Sequence, residues 1–367
     1  MRHKKRILFG AVDIGYRIEL YSKFIQKHYS EEMNPESLVI HLLSKEHYEL
    51  SYTYQFHYHG RSFLYRWSRS ILNFIRCLFR YDIFHFFSGE TLLTRKLRRA
   101  ELMIYKLLGK RVIMHFVGSD IRSLVFEAWK VKNIKHFLDG ENDFPKKLPW
   151  QIKLTADAEK YADYILVSTP DLLELVPKAE YYPIMLDLDK FLEELDNAGI
   201  VKKNPDEIVI LHCPSNLKYK GTVYIHDILK KIKSESGINI RLILPAEKIM
   251  ATPKLYSVNR YELFKLYNEA DIVVDQIATG WFGLQSIEAA AAGKQVISYI
   301  DSHLKPYLFP DCPIEIANVN TLEQVVMKCI EKIKNNNTSR NAQMEWVRKY
   351  HTIENNHDAL LRAWGLK

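Results

Sequence analysis

Residues 270–299, ADIVVDQIATGWFGLQSIEAAAAGKQVISY, decide the fold. Ile272 to Asp275 reads as a buried strand, a helix starts near Leu284, and Gln295 to Tyr299 reads as the next strand. That is one β-α-β unit of a parallel sheet. Glycines at a strand-to-helix junction let the backbone approach a ligand closely, and the new helix offers free N–H groups and its positive dipole end to a phosphate. Glu288 follows about one turn into the helix, where a carboxylate can accept from two vicinal hydroxyls, as in ribose recognition. Gly293 stands where a helix ends before the next strand. Taken alone, a GxxG followed by an alanine-rich helix also describes plain packing of helix on sheet.

The same alternation extends outward in both directions. Upstream lie strands at Ile208 to Cys213 and Ile240 to Leu244, with helical patterns at Val223 to Lys233 and Arg260 to Ala270. The first half begins with the strand Lys5 to Ala11 and a helix from Ile18 to Lys27. Apolar runs follow at Leu38 to Leu43, Ile83 to Phe87, Val112 to Val117 and Tyr164 to Ser168. A chain of 367 residues is too long for one doubly wound domain, and the fold expected is α/β, two Rossmann-like domains with a cleft between them. Tyr182-Pro183 through Pro205, with a short helix at Asp189 to Leu195, reads as the hinge. Expected boundaries are 1–185, 186–345 and a C-terminal helix over 346–367 that packs back toward the first domain; the helical pattern spans Ser339 to Trp364.

A second junction, LHCPSNLKYKGT (Leu211 to Thr222), also leaves a strand and enters a helix. Ser215 and Asn216 suit a loop or an N-cap, and Lys218 and Lys220 flank a turn closed by Gly221. A lysine held there is placed to neutralise a diphosphate leaving group.

In these two blocks the chain resembles the retaining, nucleotide-sugar-dependent glycosyltransferases of family 4, which have the two-domain GT-B fold. The resemblance also covers HFFSG (His85 to Gly89), HFVGSDIR (His115 to Arg122), ADYILVSTPDLLELVP (Ala162 to Pro177) and PIMLDLDKF (Pro183 to Phe191). It implies that the second domain binds the nucleotide sugar and the first the acceptor. Lys220 would contact the diphosphate, Glu288 the ribose, and the backbone around Gly283, Leu284 and Gln285 the phosphates or sugar. The family often has two glutamates eight positions apart, and here the earlier position is Gly280. A basic residue often found six positions before the lysine is replaced by Pro214, a place Lys218 would have to fill.

In the first domain, Val117 stands where the family commonly has a histidine, with His115 two residues earlier on the same strand face. His115 either reaches the cleft as a catalytic group or is a satisfied core histidine. Gly118, Ser119 and Asp120 form a polar loop at the strand's C-terminal end, with Asp120 a second catalytic candidate, and the turn Asp13 to Arg17 around Gly15 faces the same cleft in this reading. The letters DLD at Asp187 to Asp189 match a metal-binding DxD, but they sit in the hinge, so no metal is expected. No cofactor is expected either, the nucleotide sugar being a substrate.

Composition bounds the setting. Hydrophobic residues at 47% with 26% charged exclude a disordered or collagen-like chain. Cys77, Cys213, Cys312 and Cys329 have neither paired nor CxxC spacing, which points to a reducing compartment. The apolar stretch after Arg6 ends at Val12, and no segment approaches the ~18–20 apolar residues of a membrane span. Residues 1–110 hold 19 Lys and Arg against 10 Asp and Glu, more than the whole chain's +8. Within them, RSFLYRWSRSILNFIRCLFR (Arg61 to Arg80) interleaves five arginines with large apolar residues, the composition of an interfacial helix and equally of a core-packed helix with a solvated basic side.

The expected function is therefore transfer of a sugar, with retention, to a lipid-linked or polysaccharide glycan. The expected setting is cytoplasmic, peripheral on the inner face of an anionic membrane, through binding that is salt-sensitive. Competing readings are a sugar-nucleotide 2-epimerase on the same fold and a degenerate transferase acting as a binding protein. Nucleic acid is not expected as a partner, because no recognised module appears.

Overall fold

Seven strands of the first half pair in parallel: β1 (Lys5–Ala11), β2 (Met33–His41), β3 (Tyr54–His57), β4 (Ile83–Phe87), β5 (Arg111–Phe116), β6 (Tyr164–Val167) and β7 (Glu180–Tyr181). Their order, β3-β2-β1-β4-β5-β6-β7, reverses direction between β1 and β4. The computed structural model describes residues 4–41, 52–58, 60–122, 144–199, 204–245, 258–337 and 339–367, leaving out the side chains of 41, 144–147 and 218. Leu42 and Leu43, the end of one expected strand, lie outside these residues.

Apolar side chains fill both faces of this sheet, as crossover helices require. On one face, Leu8, Phe84, Phe86, Val112 and Met114 form a single core with α2 (Phe63–Arg80), α3 (Arg98–Leu107) and α4 (Phe144–Tyr161). Phe74, Cys77, Leu102, Tyr105, Leu154 and Ala158 are the helix contributions. On the other face Phe9 and His85 meet Tyr21 of α1 (Arg17–His28).

The second sheet comprises β8 (Ile208–Leu211), β9 (Ile240–Ile243), β10 (Ile272–Gln276), β11 (Gln295–Ser298) and β12 (Ile314–Ile316) in the order β12-β11-β10-β8-β9, again all parallel. Its direction reverses between β8 and β10. Its helices are α5 (Leu188–Asn197), α6 (Leu217–Lys220), α7 (Thr222–Glu235), α8 (Arg260–Glu269), α9 (Leu284–Ala291), α10 (Leu322–Lys334) and α11 (Arg340–Tyr350). Strands β3, β7 and β12 were not expected from sequence, being short and at or next to sheet edges.

The chain divides into two compact units, changing from the first to the second between Met185 and Leu186 and returning to the first at Asn356. The second unit therefore runs past residue 345, and the single C-terminal helix expected from sequence is two helices. α11 stops because the Arg348 carbonyl is taken by side chains, Thr352 Oγ1 at 2.6 Å and Asn355 Nδ2 at 2.9 Å, which replace the next helical N–H. α12 (Asp358–Trp364) then packs in the first unit. There Trp364 is fully buried, donates from Nε1 to His85 Nδ1 at 3.1 Å, and meets the rings of Phe9 and Tyr21 edge-on at 6.0 and 6.1 Å. Arg111 ties down the end of α12 by donating to the carbonyls of Ala363 (2.5 Å) and Arg362 (2.8 Å).

Candidate active site

The second unit's crevice opens at the carboxyl ends of β8 and β10, the point of strand-order reversal where open α/β sheets take their ligands. After β8 the chain turns into α6, whose first turn is capped by Asn216, its Oδ1 accepting the Tyr219 N–H at 3.1 Å. Gly221 then joins α6 to α7 with φ 74°, and a Cβ there would lie 2.8 Å from Ile277 Cγ1. Only glycine satisfies both the turn and the close approach. That approach lets the Ile277 N–H donate to the Lys220 carbonyl at 3.1 Å, which binds the end of α6 to the loop after β10.

Lys220 consequently points across the crevice and pairs with the buried carboxylate of Asp275 on β10. Asp275 Oδ2 also accepts from the Gly283 N–H at 3.0 Å and the Ser286 hydroxyl at 2.7 Å, so one carboxylate anchors Lys220 and the start of α9 together. Burial pushes this carboxyl up, but the Lys220 ammonium and the two bonds from α9 outweigh it and leave it below its ordinary value. A Cβ on Gly283 would stand 3.2 Å from Lys220 Nζ and 3.5 Å from Asp275 Oδ2, so a side chain there would crowd the pair.

Beside the pair, Gln285 Nε2 donates to the Cys213 carbonyl at 3.0 Å. Among the described residues no acceptor meets the N–H groups of Leu284 or Gln285, the first two of α9, and both residues are half-exposed. Lys220, Gly283, Leu284 and Gln285 are thus brought together as expected from sequence, with Asp275 and Ser286 added. An ammonium and outward N–H groups in one crevice form an anion-binding arrangement. Ser215 is exposed in the preceding loop. Lys218 lies on α6, and its side chain is outside the described residues.

Two further residues shape this site and were not read from sequence. Gln276 is buried and organises the loop after β10. Its Nε2 donates to the carbonyls of Thr279 (2.5 Å), Trp281 (2.8 Å) and Tyr299 (3.0 Å), and its Oε1 accepts from the N–H groups of Ala278 (3.0 Å) and Thr279 (2.7 Å). Trp281 and Phe282 stack at 4.8 Å and continue into Trp346 and His351, so α11 braces the loop from behind. His212 is buried at the foot of the crevice. Its Nδ1 must donate to the Val274 carbonyl (2.8 Å), leaving Nε2 to accept from Thr222 Oγ1 (3.0 Å), and burial pushes its pKa down to about 3.

Glu288 departs from expectation. Its carboxylate is 4% exposed and turned toward α8, accepting from Tyr267 Oη at 2.9 Å and Arg260 Nη1 at 3.2 Å. Arg260 also holds Glu194 of α5 at 3.0 Å, so Glu288 joins a network that fixes α9 against α8 and α5. A buried carboxylate takes the donors that neutralise it, and here these come from the protein.

In the first unit, His115 is a core residue. Its imidazole is fully buried, lies 3.0 Å from Ser168 Oγ and 3.4 Å from His85 Nε2, and stacks on Tyr21. Burial first, and then nearby Arg17, hold its pKa well below the ordinary histidine value, so it is neutral. Asp120 is a loop organiser rather than a group open to solvent. Its two oxygens accept from the N–H groups of Val117 (3.0 Å), Gly118 (2.7 Å) and Ile121 (3.1 Å). Gly118 has φ 148° and leaves only 3.1 Å between a Cβ and Arg122 Nη1, and the same guanidinium donates from Nη2 to Asp171 and Thr169. Ser119 is exposed, with its carbonyl on Gln151 Nε2 at 3.4 Å, and Gly15 is half-exposed in the loop between β1 and α1. In the segment read as a hinge, Asp187 caps α5 by accepting from the Lys190 N–H, and Asp189 lies 3.5 Å from Arg348.

No protein-family model and no curated protein matches this chain. Solved structures do. Sucrose-phosphate synthase from Thermosynechococcus elongatus is similar with a TM-score of 0.62 at 13% identity, over 99% of this chain and 98% of that one. Anabaena HepE in complex with UDP and glucose has a TM-score of 0.61 at 11% identity, over 99% of this chain and 100% of that one. A putative UDP-N-acetylglucosamine 2-epimerase from Listeria monocytogenes has a TM-score of 0.53 at 12% identity, over 98% of this chain and 96% of that one. The fold is the two-domain, Rossmann-like α/β architecture of GT-B proteins.

Proposed function

We propose that this chain is a glycosyltransferase that binds a nucleotide-sugar donor at the crevice between β8 and β10 and passes the sugar to a glycan acceptor. The observation that carries the reading is the convergence of Lys220, held by an Asp275 carboxylate that also accepts the Gly283 N–H, with the outward N–H groups of Leu284 and Gln285 at the strand-order reversal. In the transfer, the bond from the anomeric carbon to the diphosphate breaks while a bond to an acceptor oxygen forms. The charge that grows on the departing diphosphate meets an ammonium and backbone donors already in place, which is electrostatic preorganisation. Retention of configuration and a lipid-linked or polysaccharide acceptor at a cytoplasmic membrane face follow from the resemblance to family 4. His115 and Asp120 take no chemical step here, since both serve the first unit's packing.

The donor charge needs no metal in this scheme, and Asp187 and Asp189 are engaged as a helix cap and an ion pair. The test is release of nucleoside diphosphate from a panel of nucleotide sugars incubated with membrane glycolipid extracts, with and without EDTA. We expect acceptor-dependent release at an unchanged rate in EDTA. Abolition by EDTA with rescue by Mn²⁺ would defeat the metal-independent scheme.

A second reading, a sugar-nucleotide 2-epimerase, is favoured by the similarity to the Listeria structure. In the same assay it is recognised by an epimerised donor that appears without any acceptor.

A further inference from the structure

No helix among the described residues is long and apolar enough to cross a membrane, yet α2 leaves much of its apolar surface uncovered. Its core face is Ser70, Asn73, Phe74, Cys77 and Leu78. On a different side of the helix, at positions that share one face, Leu64, Leu72, Ile75 and Phe79 are exposed, with Leu64 at 74% and Phe79 at 80%. A single exposed leucine is ordinary on a protein surface, whereas a contiguous stripe marks an interaction site.

The arginines of α2 show which way this stripe looks. Arg69 lies over Phe56 and Arg80 over Tyr54, both on or bordering the β3 edge, and Arg80 also binds Glu36 through two 2.9 Å contacts. The basic side of α2 therefore faces β3, and the apolar stripe is turned away from it. Tyr105 of α3 meets Phe74 of α2 at 5.6 Å between ring centroids. On α3 and just past its end, Met103, Leu107 and Leu108 are again exposed, Leu107 at 81%.

We infer that this α2–α3 ridge inserts into the interfacial region of an anionic lipid bilayer. Charge complementarity selects the occupant. Exposed Arg76 borders the stripe on α2, exposed Arg66 lies further round the same helix, Lys106 is exposed on α3, and residues 1–110 carry 19 basic against 10 acidic residues. A helix with an apolar stripe and an arginine flank lies in the plane of a membrane with its apolar side sunk among the headgroups. The structure thereby changes the binding mode expected from sequence. Two of the arginines, Arg69 and Arg80, are engaged within the protein, and burial of Leu64, Phe79 and Leu107 supplies a component that salt does not screen. The inference deepens the transferase reading by naming the surface that presents a lipid-linked acceptor. It is tested with neither donor nor acceptor present, so either can fail alone.

The probe is vesicles of phosphatidylcholine with or without phosphatidylglycerol, in a co-sedimentation assay. Wild type should bind the mixed vesicles at low salt and keep part of that binding at high salt. Leu64→Gln, Phe79→Gln and Leu107→Gln combined should remove the salt-resistant part, and all three side chains are exposed, so the fold is spared. Arg66→Gln with Arg76→Gln should reduce only the salt-sensitive part. Brominated lipid should quench Trp67, near the start of α2, in wild type, and this quenching should vanish in Trp67→Phe. Wild type remaining in the supernatant with anionic vesicles at low salt would overturn the inference, as would unchanged salt-resistant binding of the triple variant. So would a wild-type dimer that the triple variant converts to monomer without vesicles, which would make the ridge an interface between copies.

Discussion

Lys220→Ala should weaken binding of a nucleoside diphosphate roughly 10- to 100-fold, the equivalent of one charge-assisted contact of about 1.5–3 kcal/mol. The change removes the one side-chain cation that the described structure places between Asp275 and the start of α9. Asp275→Ala should do something different. It leaves the Lys220 ammonium without its carboxylate and the Gly283 N–H and Ser286 hydroxyl without their shared acceptor, and losing one member of a buried pair costs about 3–5 kcal/mol. Calorimetric titration with UDP and chemical denaturation separate the two outcomes. Both variants should lose stability, because Lys220→Ala strands the fully buried Asp275 carboxylate just as Asp275→Ala strands the ammonium, and Lys220→Ala should lose more affinity.

The pH dependence has a definite sign. Because Asp275 is held below the ordinary carboxylate value in the folded chain, its contribution is fully present above about pH 4. It is lost as pH falls through the lowered folded value. Wild type should therefore lose more stability on acidification than Asp275→Asn, and equal acid sensitivity would show that the pair contributes nothing.

Trp364→Ala is expected to have a comparably large effect, on the stability of the first unit. The ring is fully buried, touches Phe9, Tyr21 and His85 and donates to His85 Nδ1, so its removal opens a cavity and leaves a buried histidine nitrogen unbonded. Loss of a buried tryptophan costs about 3–5 kcal/mol, a fall of roughly 6–20 °C in the midpoint of the first unit. Leu107→Ala, at an exposed position, serves as the control and should leave the midpoint nearly unchanged. A Trp364→Ala protein that melts like wild type would show that α12 does not contribute to that unit's fold.

What was legible in the sequence was local. The β10–α9–β11 segment could be read because its strand, glycines, helix and closing Gly293 are consecutive, and the structure starts α9 at Leu284 as read. Asn216 also acts as the N-cap it resembles. Asp275 and Gln276 were visible as a polar strand end but gave no sign of burial. The partner of Asp275 lies 55 residues away, and Gln276 holds a loop that sequence alone leaves shapeless. His115 shows the same limit: strand alternation placed it on a face, but what covers that face includes Tyr21 of α1. The neighbouring His85 is reached by Trp364 from 279 residues away. Glu288 had the letter and spacing of a ribose acceptor, yet Arg260 and Tyr267 from another helix take up its carboxylate. The α2–α3 ridge was half-legible. Interleaved arginines and apolar residues were plain, but which of them the protein itself engages depended on β3, a strand with no sequence signal strong enough to find it.

Binding of a nucleotide sugar's diphosphate in the crevice between β8 and β10 can be measured by calorimetric titration of wild type and Lys220→Ala with a panel of nucleoside mono- and diphosphates and their sugar conjugates. At least one diphosphate should bind wild type with one-to-one stoichiometry, more tightly than its monophosphate, and Lys220→Ala should abolish most of that preference. Absence of binding across the panel, or a diphosphate preference that Lys220→Ala leaves intact, would contradict that role for the crevice.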